Sequence, residues 1–553
     1  MDVAVDIDRR AQGVARPGVG RSDAVLIGLF GAVVSLAFAG RPSLWLDEAA
    51  TIAGSTRTLP QLFHLLGTVD GVHGLHYLLM HAWFTVVPVT EFWARVPSAV
   101  LVGGAAAGIV VLGRLLSTRS VAIAAGMAFA VLPRTTWAGV EARSYALSMF
   151  DGVWLTVLCV VAVRRNSKWL WVAYVLGLAW STVGNVFVVL IVAAHAVLVM
   201  GLGRSRRILG AWVGSVAAAT IAVTPFLFFV KTQQSQVDWI WPVGPGTVGQ
   251  ILGDQYFPAV YSNSARATGM ETAQQITPEQ VSAALHAWAL VAPFIAVVLV
   301  IAVAAARMRS SSPVAGADDT RVLVRTALVW VLVPTAVVVG YSLLREPMYQ
   351  PHYLSFTAPG FAVLIGVCIV VVGREPRRIA VLVAVLVAAA VPNYVAQRGP
   401  YAKFGADYSQ VDELIATRAA PGECLDVDDA APSTVTEALK AARPDAFRAL
   451  RDDGQVRSAV DRGSLFEQRA PITMWRNALR TCPGLWTVSA RDPALPAHEQ
   501  GHDLAPGTTL GGSTAYRVPA ELGFRIVERW QFNLTQVTRS TPSDDAGVVT
   551  PTR

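Results

Sequence analysis

Stretches of about 20 residues with almost no charge recur along this chain, and they constrain its fold more than any other feature. Residues 24–40, 98–112, 209–230 and 285–306 each approach the length that crosses the hydrocarbon core of a bilayer. Composition agrees. The 553 residues are 53% apolar and 15% charged, against about 25% charged in an ordinary soluble domain. The expected fold is therefore mainly α, a polytopic bundle of transmembrane helices. The excess of 45 basic over 38 acidic residues, a net charge of +7, does not mark a nucleic-acid binder, because the basic residues form short clusters between apolar spans and no continuous basic face. That is the pattern of membrane topology.

The clusters orient the chain. Arg9, Arg10, Arg16 and Arg21 precede the first span, so residues 1–22 read as a cytoplasmic tail with no cleavable signal peptide. Further inner loops are marked by Arg164, Arg165 and Lys168, by Arg204, Arg206 and Arg207, by Arg307, Arg309 and Arg321, and by Arg374, Arg377 and Arg378. Outer loops fall between them, the longest being 41–73 and 231–283. Residues 74–89 are apolar but short, with His76, His81 and Pro88 among them, and are expected not to span. About 11 crossings remain, with 13 as the alternative count. Residues 23–398 are then the membrane domain and 399–553 an exported soluble domain. Within the latter a helical pattern at 409–418, a short apolar run at 424–427 and strand-like runs at 485–489 and 524–538 predict a small α/β fold. Its two cysteines, Cys424 and Cys482, are expected to pair in an oxidising compartment, and a disordered tail is expected from Ser540.

Chemistry-bearing residues gather at the outer loops. The first loop opens with Trp45-Leu-Asp47-Glu48; paired carboxylates at a membrane rim suit proton transfer, while an N-cap Asp beside a solvated Glu is the plainer reading. The same loop ends in Asp70-Gly-Val-His73-Gly-Leu-His76-Tyr, which suits a phosphate or a divalent ion, structural hydrogen bonding being the commoner use of such residues. Glu141, Arg143 and Tyr145 stand at the outer end of a span, where charge is costly unless it is paired or functional. Asp151 lies two turns deeper and is expected to face the bundle interior. In the long loop Gln236 and Trp239 offer amide and indole groups of the kind that hold sugars, although an interfacial aromatic belt explains the tryptophan equally well. Arg345, His352 and Tyr353 open a late span, and Arg345 and His352 suit a lipid phosphate.

In that order the residues resemble the GT-C superfamily of membrane glycosyltransferases, especially the branch of bacterial protein O-mannosyltransferases and the aminoarabinose transferase of lipid A. The likeness rests on the Asp47-Glu48 pair, an Asp-x-x-His-x-x-x-Tyr end to the first loop, Arg95-Val-Pro-Ser, Glu141-Ala-Arg-Ser-Tyr-Ala-Leu and the basic-Tyr-Leu sequence His352-Tyr353-Leu354. Where many relatives have His-Pro-Pro, this chain has His73-Gly74-Leu75.

The resemblance implies a sugar donor joined to polyprenyl phosphate, inverting transfer to a glycolipid or glycan acceptor, and an extracytoplasmic active site in the plasma membrane. It implies Asp47 as general base, with Glu48 as alternative. The other outer-loop residues would bind donor or acceptor, and a divalent cation (Mg or Mn) is admitted as cofactor. The arginine-rich, alanine- and valine-rich composition points to an actinobacterium, and hence to decaprenyl-phosphate mannose and lipoglycan or cell-wall products. Arabinosyl or protein O-mannosyl transfer uses the same chemistry. A flippase of lipid-linked sugar is the rival from another class, and paired repeats of interrupted helices, which would mark it, are not visible in the sequence.

Overall fold

The computed structural model describes residues 19–203, 205–258, 278–310, 317–428, 433–492, 495, 500–502 and 511–543. Expectations that rest on Arg9, Arg10, Arg16 and Arg204, and on residues 259–277 of the long loop, lie outside the described residues, as do the side chains of Arg21 and Arg309. After helix α1 (Val19–Leu36) come three short helices, α2 (Leu46–Ser55), α3 (Leu59–Thr68) and α4 (Gly74–Phe84). A run of apolar helices follows: α5 (Glu91–Leu116), α6 (Arg119–Val131), α7 (Pro133–Ala138), α8 (Tyr145–Arg165), α9 (Lys168–Gly184), α10 (Val192–Leu202), α11 (Arg206–Lys231), α12 (Pro278–Ser310), α13 (Ala317–Leu344), α14 (Ala358–Gly373) and α15 (Pro376–Ala396).

Among the described residues six helices are long and apolar enough to cross a membrane: α5, α8, α11, α13, α15, and α14 with the turn ahead of it. Shorter apolar helices lie at Ser22–Leu36, Arg119–Val131, Val186–Leu202 and Val291–Arg307, and α9 adds 17 residues. The six long and five shorter apolar helices make eleven candidates by composition among the described residues, the number of crossings expected from the basic clusters. Helix α4, of 11 residues, reaches about 16 Å at 1.5 Å per residue, half of what a span needs.

The chain divides into two compact units. The first comprises Met1–Ala39, Arg95–Ala259 and Glu279–Val395, and the second Gly40–Ala94, Val260–Pro278 and Ala396–Arg553. In the first, small residues let helices approach closely, as packing in lipid requires where no hydrophobic effect separates helix from solvent. A Cβ on Gly103 would come 2.6 Å from the carbonyl oxygen of Gly28, and one on Gly366 2.5 Å from the backbone nitrogen of Ala125, so α1 meets α5, and α6 meets α14, backbone to backbone. Asp151 of α8 is buried in this bundle, as its sequence context predicts.

The second unit is a small α/β fold of α16 (Tyr408–Arg418), α17 (Ser433–Ala442), α18 (Thr514–Glu521) and strands β1 (Cys424–Val427), β2 (Gln455–Arg457), β3 (Gln468–Arg469), β4 (Leu485–Ala490), β5 (Gln500–His502), β6 (Phe524–Gln531) and β7 (Thr535–Pro542). The main sheet has the order β1-β4-β7-β6-β5, with β1 and β4 parallel. Alternation along the strands sends Leu425, Trp486, Val488, Trp530 and Val537 to one face. There they share a core with Val411 and Ile415 of α16, Ala438 and Leu439 of α17, and Leu44, Ala49 and Ile52 of the first loop. That loop is thus part of the same folded core: Ser43 N donates to Pro400 O (2.8 Å), and Leu44 N and Ser409 N donate to the hydroxyls of Ser409 and Ser43 (both 3.1 Å). Two sequence expectations need comment. Cys424 and Cys482 form the disulfide, with Cα atoms 5.8 Å apart. Ser540 does not open a disordered tail, because Ser540 pairs with Leu485 and Pro542 with Phe524 in the sheet ladder; residues 544–553 lie outside the described residues.

Candidate active site

In the second unit, α2 takes Trp45 as its N-cap, so Asp47 and Glu48 occupy its first turn and Asp47 is not the cap. Negative charge is favoured there by the exposed N–H groups and dipole of the helix start. Adjacent helical positions diverge by about 100°, and the pair is split accordingly: Glu48 is fully buried while Asp47 is half-buried. Burial and the nearby carboxylates of Asp407, Asp412 and Asp47 hold the Tyr408 phenol above its ordinary range.

At the other end of the loop Asp70 adopts a left-handed backbone (φ 57°) and accepts a 2.6 Å hydrogen bond from the buried hydroxyl of Tyr77. His73 closes a one-turn 3-10 helix and caps α4, with its ring 6.2 Å from that of Tyr77; His76 lies buried one turn further on. Sequence reasoning missed Arg57. It is 6% exposed, its Nε donates to Ala53 O at 3.0 Å and an Nη to Ser464 O. Among the described residues the one three-donor cluster with metal-ligand chemistry is Cys424, Asp453 and Cys482, and its two thiols are joined to each other. Asp70, His73 and His76 do not gather in that way, so a divalent cation at the first loop would need oxygens from its ligand.

In the first unit a second constellation closes one end of the bundle. Pro133 at the start of α7 positions Arg134, which is 4% exposed; its Nε donates to Gln255 O at 3.0 Å and an Nη to Asp254 O. Glu141, Arg143 and Tyr145 are all buried beside it in sequence, and Ser98 Oγ donates to Glu141 O at 2.6 Å. His352 packs edge-on to Tyr145 (5.2 Å between centroids) and to Tyr353 (4.8 Å), and both Arg134 and Arg143 lie within electrostatic reach of it. Tyr353 stacks on Phe187 at 5.6 Å, and its carbonyl accepts from Asn185. Behind Arg134, the Gln255 amide donates to Tyr256 and Thr335 (3.0 Å each) and accepts from Tyr349 (3.1 Å). Burial pushes the Tyr256 phenol up to about 12 and raises that of Tyr349 as well, so both act as neutral hydrogen-bonding groups.

The fold therefore brings Glu141, Arg143, Tyr145, His352 and Tyr353 to one place and adds Arg134, Gln255, Tyr256 and Tyr349, which sequence reasoning did not single out. The signal for Arg134 was present: a charge directly after Leu132-Pro133 between two apolar runs. Arg345 is exposed and stands apart from this set. Gln236 contacts Gln233 through its amide (3.3 Å), and Trp239 is 59% exposed. Chemically, two buried guanidiniums and a half-buried imidazole, with the carboxylates of Glu141 and Asp254 in electrostatic reach of Arg134, suit a phosphate, which takes charge-assisted hydrogen bonds.

No protein-family model matches the sequence, and no curated protein matches it. In structure the chain is similar to ArnT from Cupriavidus metallidurans bound to undecaprenyl phosphate, with a TM-score of 0.51 at 13% identity over 93% of this chain and 97% of that one. The apo state of the same protein gives 0.49 at 12% identity over the same shares. The archaeal oligosaccharyltransferase AglB from Archaeoglobus fulgidus, in complex with an inhibitory peptide and a dolichol-phosphate, gives 0.44 at 12%, over 85% of this chain and 69% of that one. The first of these is a likeness of fold, and the fold is the polytopic membrane bundle with a following α/β domain that the sequence predicts.

Proposed function

We propose that the chain is a membrane glycosyltransferase that moves a sugar from a polyprenyl phosphate to a hydroxyl of a cell-envelope glycolipid or glycan, at the outer face of the plasma membrane. The observation that carries this reading is the cluster of buried Arg134 and Arg143 with half-buried His352 at the end of an apolar bundle. Its support in fold is ArnT, whose structure holds undecaprenyl phosphate. The sugar proposed is mannose, carried on decaprenyl phosphate, on compositional grounds.

In the reaction the acceptor oxygen attacks the anomeric carbon with inversion while a first-loop carboxylate takes its proton. The bond from that carbon to the phosphate oxygen breaks, and its electron pair stays on the departing polyprenyl phosphate. Asp47 is assigned as the base because it is half-buried, and so open to a substrate, whereas Glu48 is sealed. Arg134 and Arg143 stabilise the charge that builds on the phosphate. A divalent cation, Mg or Mn, would supply further charge neutralisation when bound.

The test is transfer of label from radiolabelled polyprenyl-phosphate mannose, with the arabinose donor in parallel, by membranes carrying the protein. Asp47→Asn should reduce transfer by about 100- to 10,000-fold and Glu48→Gln by less than about tenfold. The reverse ranking would move the base to Glu48; near wild-type transfer by both variants would remove the first loop from the chemistry.

A further inference from the structure

Arg345 and His352 read together in the sequence as ligands of one phosphate, yet the structure parts them: His352 joins the buried cluster, and Arg345 lines a separate open groove. Helix α11 begins at Arg206 and Arg207 and ends at Lys231; α13 carries Arg321 and Arg325 near its start and stops just before Arg345. Lys231, Tyr341, Leu344, Arg345 and Glu346 bound a single cavity of about 590 Å³, so the two helices bring their ends together there. Neither Lys231 nor Arg345 makes an ion pair among the described residues.

The wall chemistry is that of a lipid headgroup site. Cations directly after apolar spans stand at headgroup level, where a phosphate and its low-dielectric surroundings favour them. Apolar surface continues from the cations along both helices: Leu344 is 83% exposed, and Phe228, one turn before Lys231, is 69% exposed. Glu346, the one acid on the wall, is suited to accept a hydrogen bond from a hydroxyl or ammonium group but not to meet a second anion.

We propose that this groove docks the phosphate of a membrane lipid, separately from the buried cluster, with Lys231 and Arg345 on the phosphate, Glu346 on a hydroxyl or ammonium of the headgroup, and the lipid chain along Leu344 and Phe228. It extends the lipid-phosphate reading and rests on it only insofar as the docked lipid is the donor's carrier; a bulk anionic phospholipid has the same phosphate chemistry.

Binding of decaprenyl phosphate and, separately, of phosphatidylglycerol to the purified full chain in detergent distinguishes these. Each cation near a lipid phosphate is worth roughly a factor of five, so the double variant Lys231→Ala, Arg345→Ala should bind at least about tenfold more weakly, the more so at low salt. Loss for decaprenyl phosphate alone assigns the groove to the donor carrier, loss for phosphatidylglycerol alone to bulk lipid, and loss for both to either; each upholds phosphate docking. A change below about twofold for both lipids overturns it. The charge-keeping pair Lys231→Arg, Arg345→Lys should restore binding to within about threefold, and a failure to do so also overturns it. A wild-type chain that binds these lipids yet transfers no sugar would sink the enzyme reading and leave the groove standing.

Discussion

Two charge clusters in this protein, one half-buried and one buried, are built on different plans. In the second unit Lys440 Nζ sits 2.6 Å from Asp452 and 2.8 Å from Glu467, and Arg469 holds Asp452 through two hydrogen bonds of 2.8 Å while also meeting Glu467. Two cations face two acids, and Lys440 also donates to the Gln455 amide oxygen at 3.1 Å. At the end of the membrane bundle, Arg134 and Arg143 both act on one imidazole, and Arg134, with the carboxylates of Asp254 and Glu141 within electrostatic reach, gives its hydrogen bonds to the carbonyls of Asp254 and Gln255. A cluster of the first kind clips a fold together, here joining α17 to the β2–β3 pair. The second kind directs guanidinium hydrogen bonds to carbonyl oxygens beside an imidazole, donors that also suit a phosphate.

The sharpest way to test the contrast is to remove one charge from each. Arg143→Gln should lower the transfer rate by about 100- to 1,000-fold, the effect of removing one donor from a preorganised anion site, while the thermal midpoint of the purified protein stays within about 3 °C of wild type. A large fall in both would make Arg143 a structural residue. Asp452→Asn should do the reverse. It leaves Lys440 and Arg469 sharing Glu467, and by the cost of breaking a buried pair it should remove about 3 kcal/mol of stability in denaturant titrations. Transfer per folded molecule should be unchanged.

The pH dependence carries the same distinction at smaller amplitude. Burial pushes the Asp452 carboxyl up, but hydrogen bonds and charge from Arg469 and Lys440 outweigh it and hold the group below the usual carboxylate range. A carboxylate lowered on folding contributes stability above its unfolded pKa and loses it as pH falls through the folded value. Wild type should therefore weaken below about pH 4, and Asp452→Asn should lack that share of the acid limb. Asp412 of α16 is the opposite case: it is fully buried, both carboxylate oxygens lack a hydrogen-bond partner, and burial, with Arg443 opposing and Glu91 and Asp407 adding, raises it well above its ordinary value. A carboxyl raised on folding is stabilising while protonated and loses that stability as pH rises through the folded value. Asp412→Asn should accordingly raise the thermal midpoint by about 2–4 °C at pH 8 and leave it unmoved near pH 4; an unchanged midpoint at pH 8 would show that Asp412 is settled by groups other than those named.

Much of the architecture was legible in the sequence. The apolar helices, the shortness of α4, the α/β domain with β1, β4, β6 and β7 near their predicted places, and the cysteine pair all follow from local pattern. Each depends on whether a run of residues prefers lipid, water or a half-buried sheet, which a stretch of chain states by itself. The candidate site was legible in its residue types and less so in its grouping. Glu141, Arg143, Tyr145 and His352 were found by the cost of placing charge beside apolar spans, but Arg134 was passed over, and Arg345 was joined to His352 when the fold sets it on a different surface.

By itself, then, the sequence determined which segments are apolar enough for a membrane, which form the small α/β fold, and which rare polar residues stand at their borders, because the free energy of transferring a segment is set by its own side chains. Tertiary structure alone decided that the first loop shares a core with a domain some 350 residues away, that Arg134 and Arg143 converge on one histidine, and that Lys231 meets Arg345 at a groove. These outcomes depend on which helix ends and strand faces pack together, and packing is settled by the fit of whole surfaces distant in the chain, which no local pattern contains.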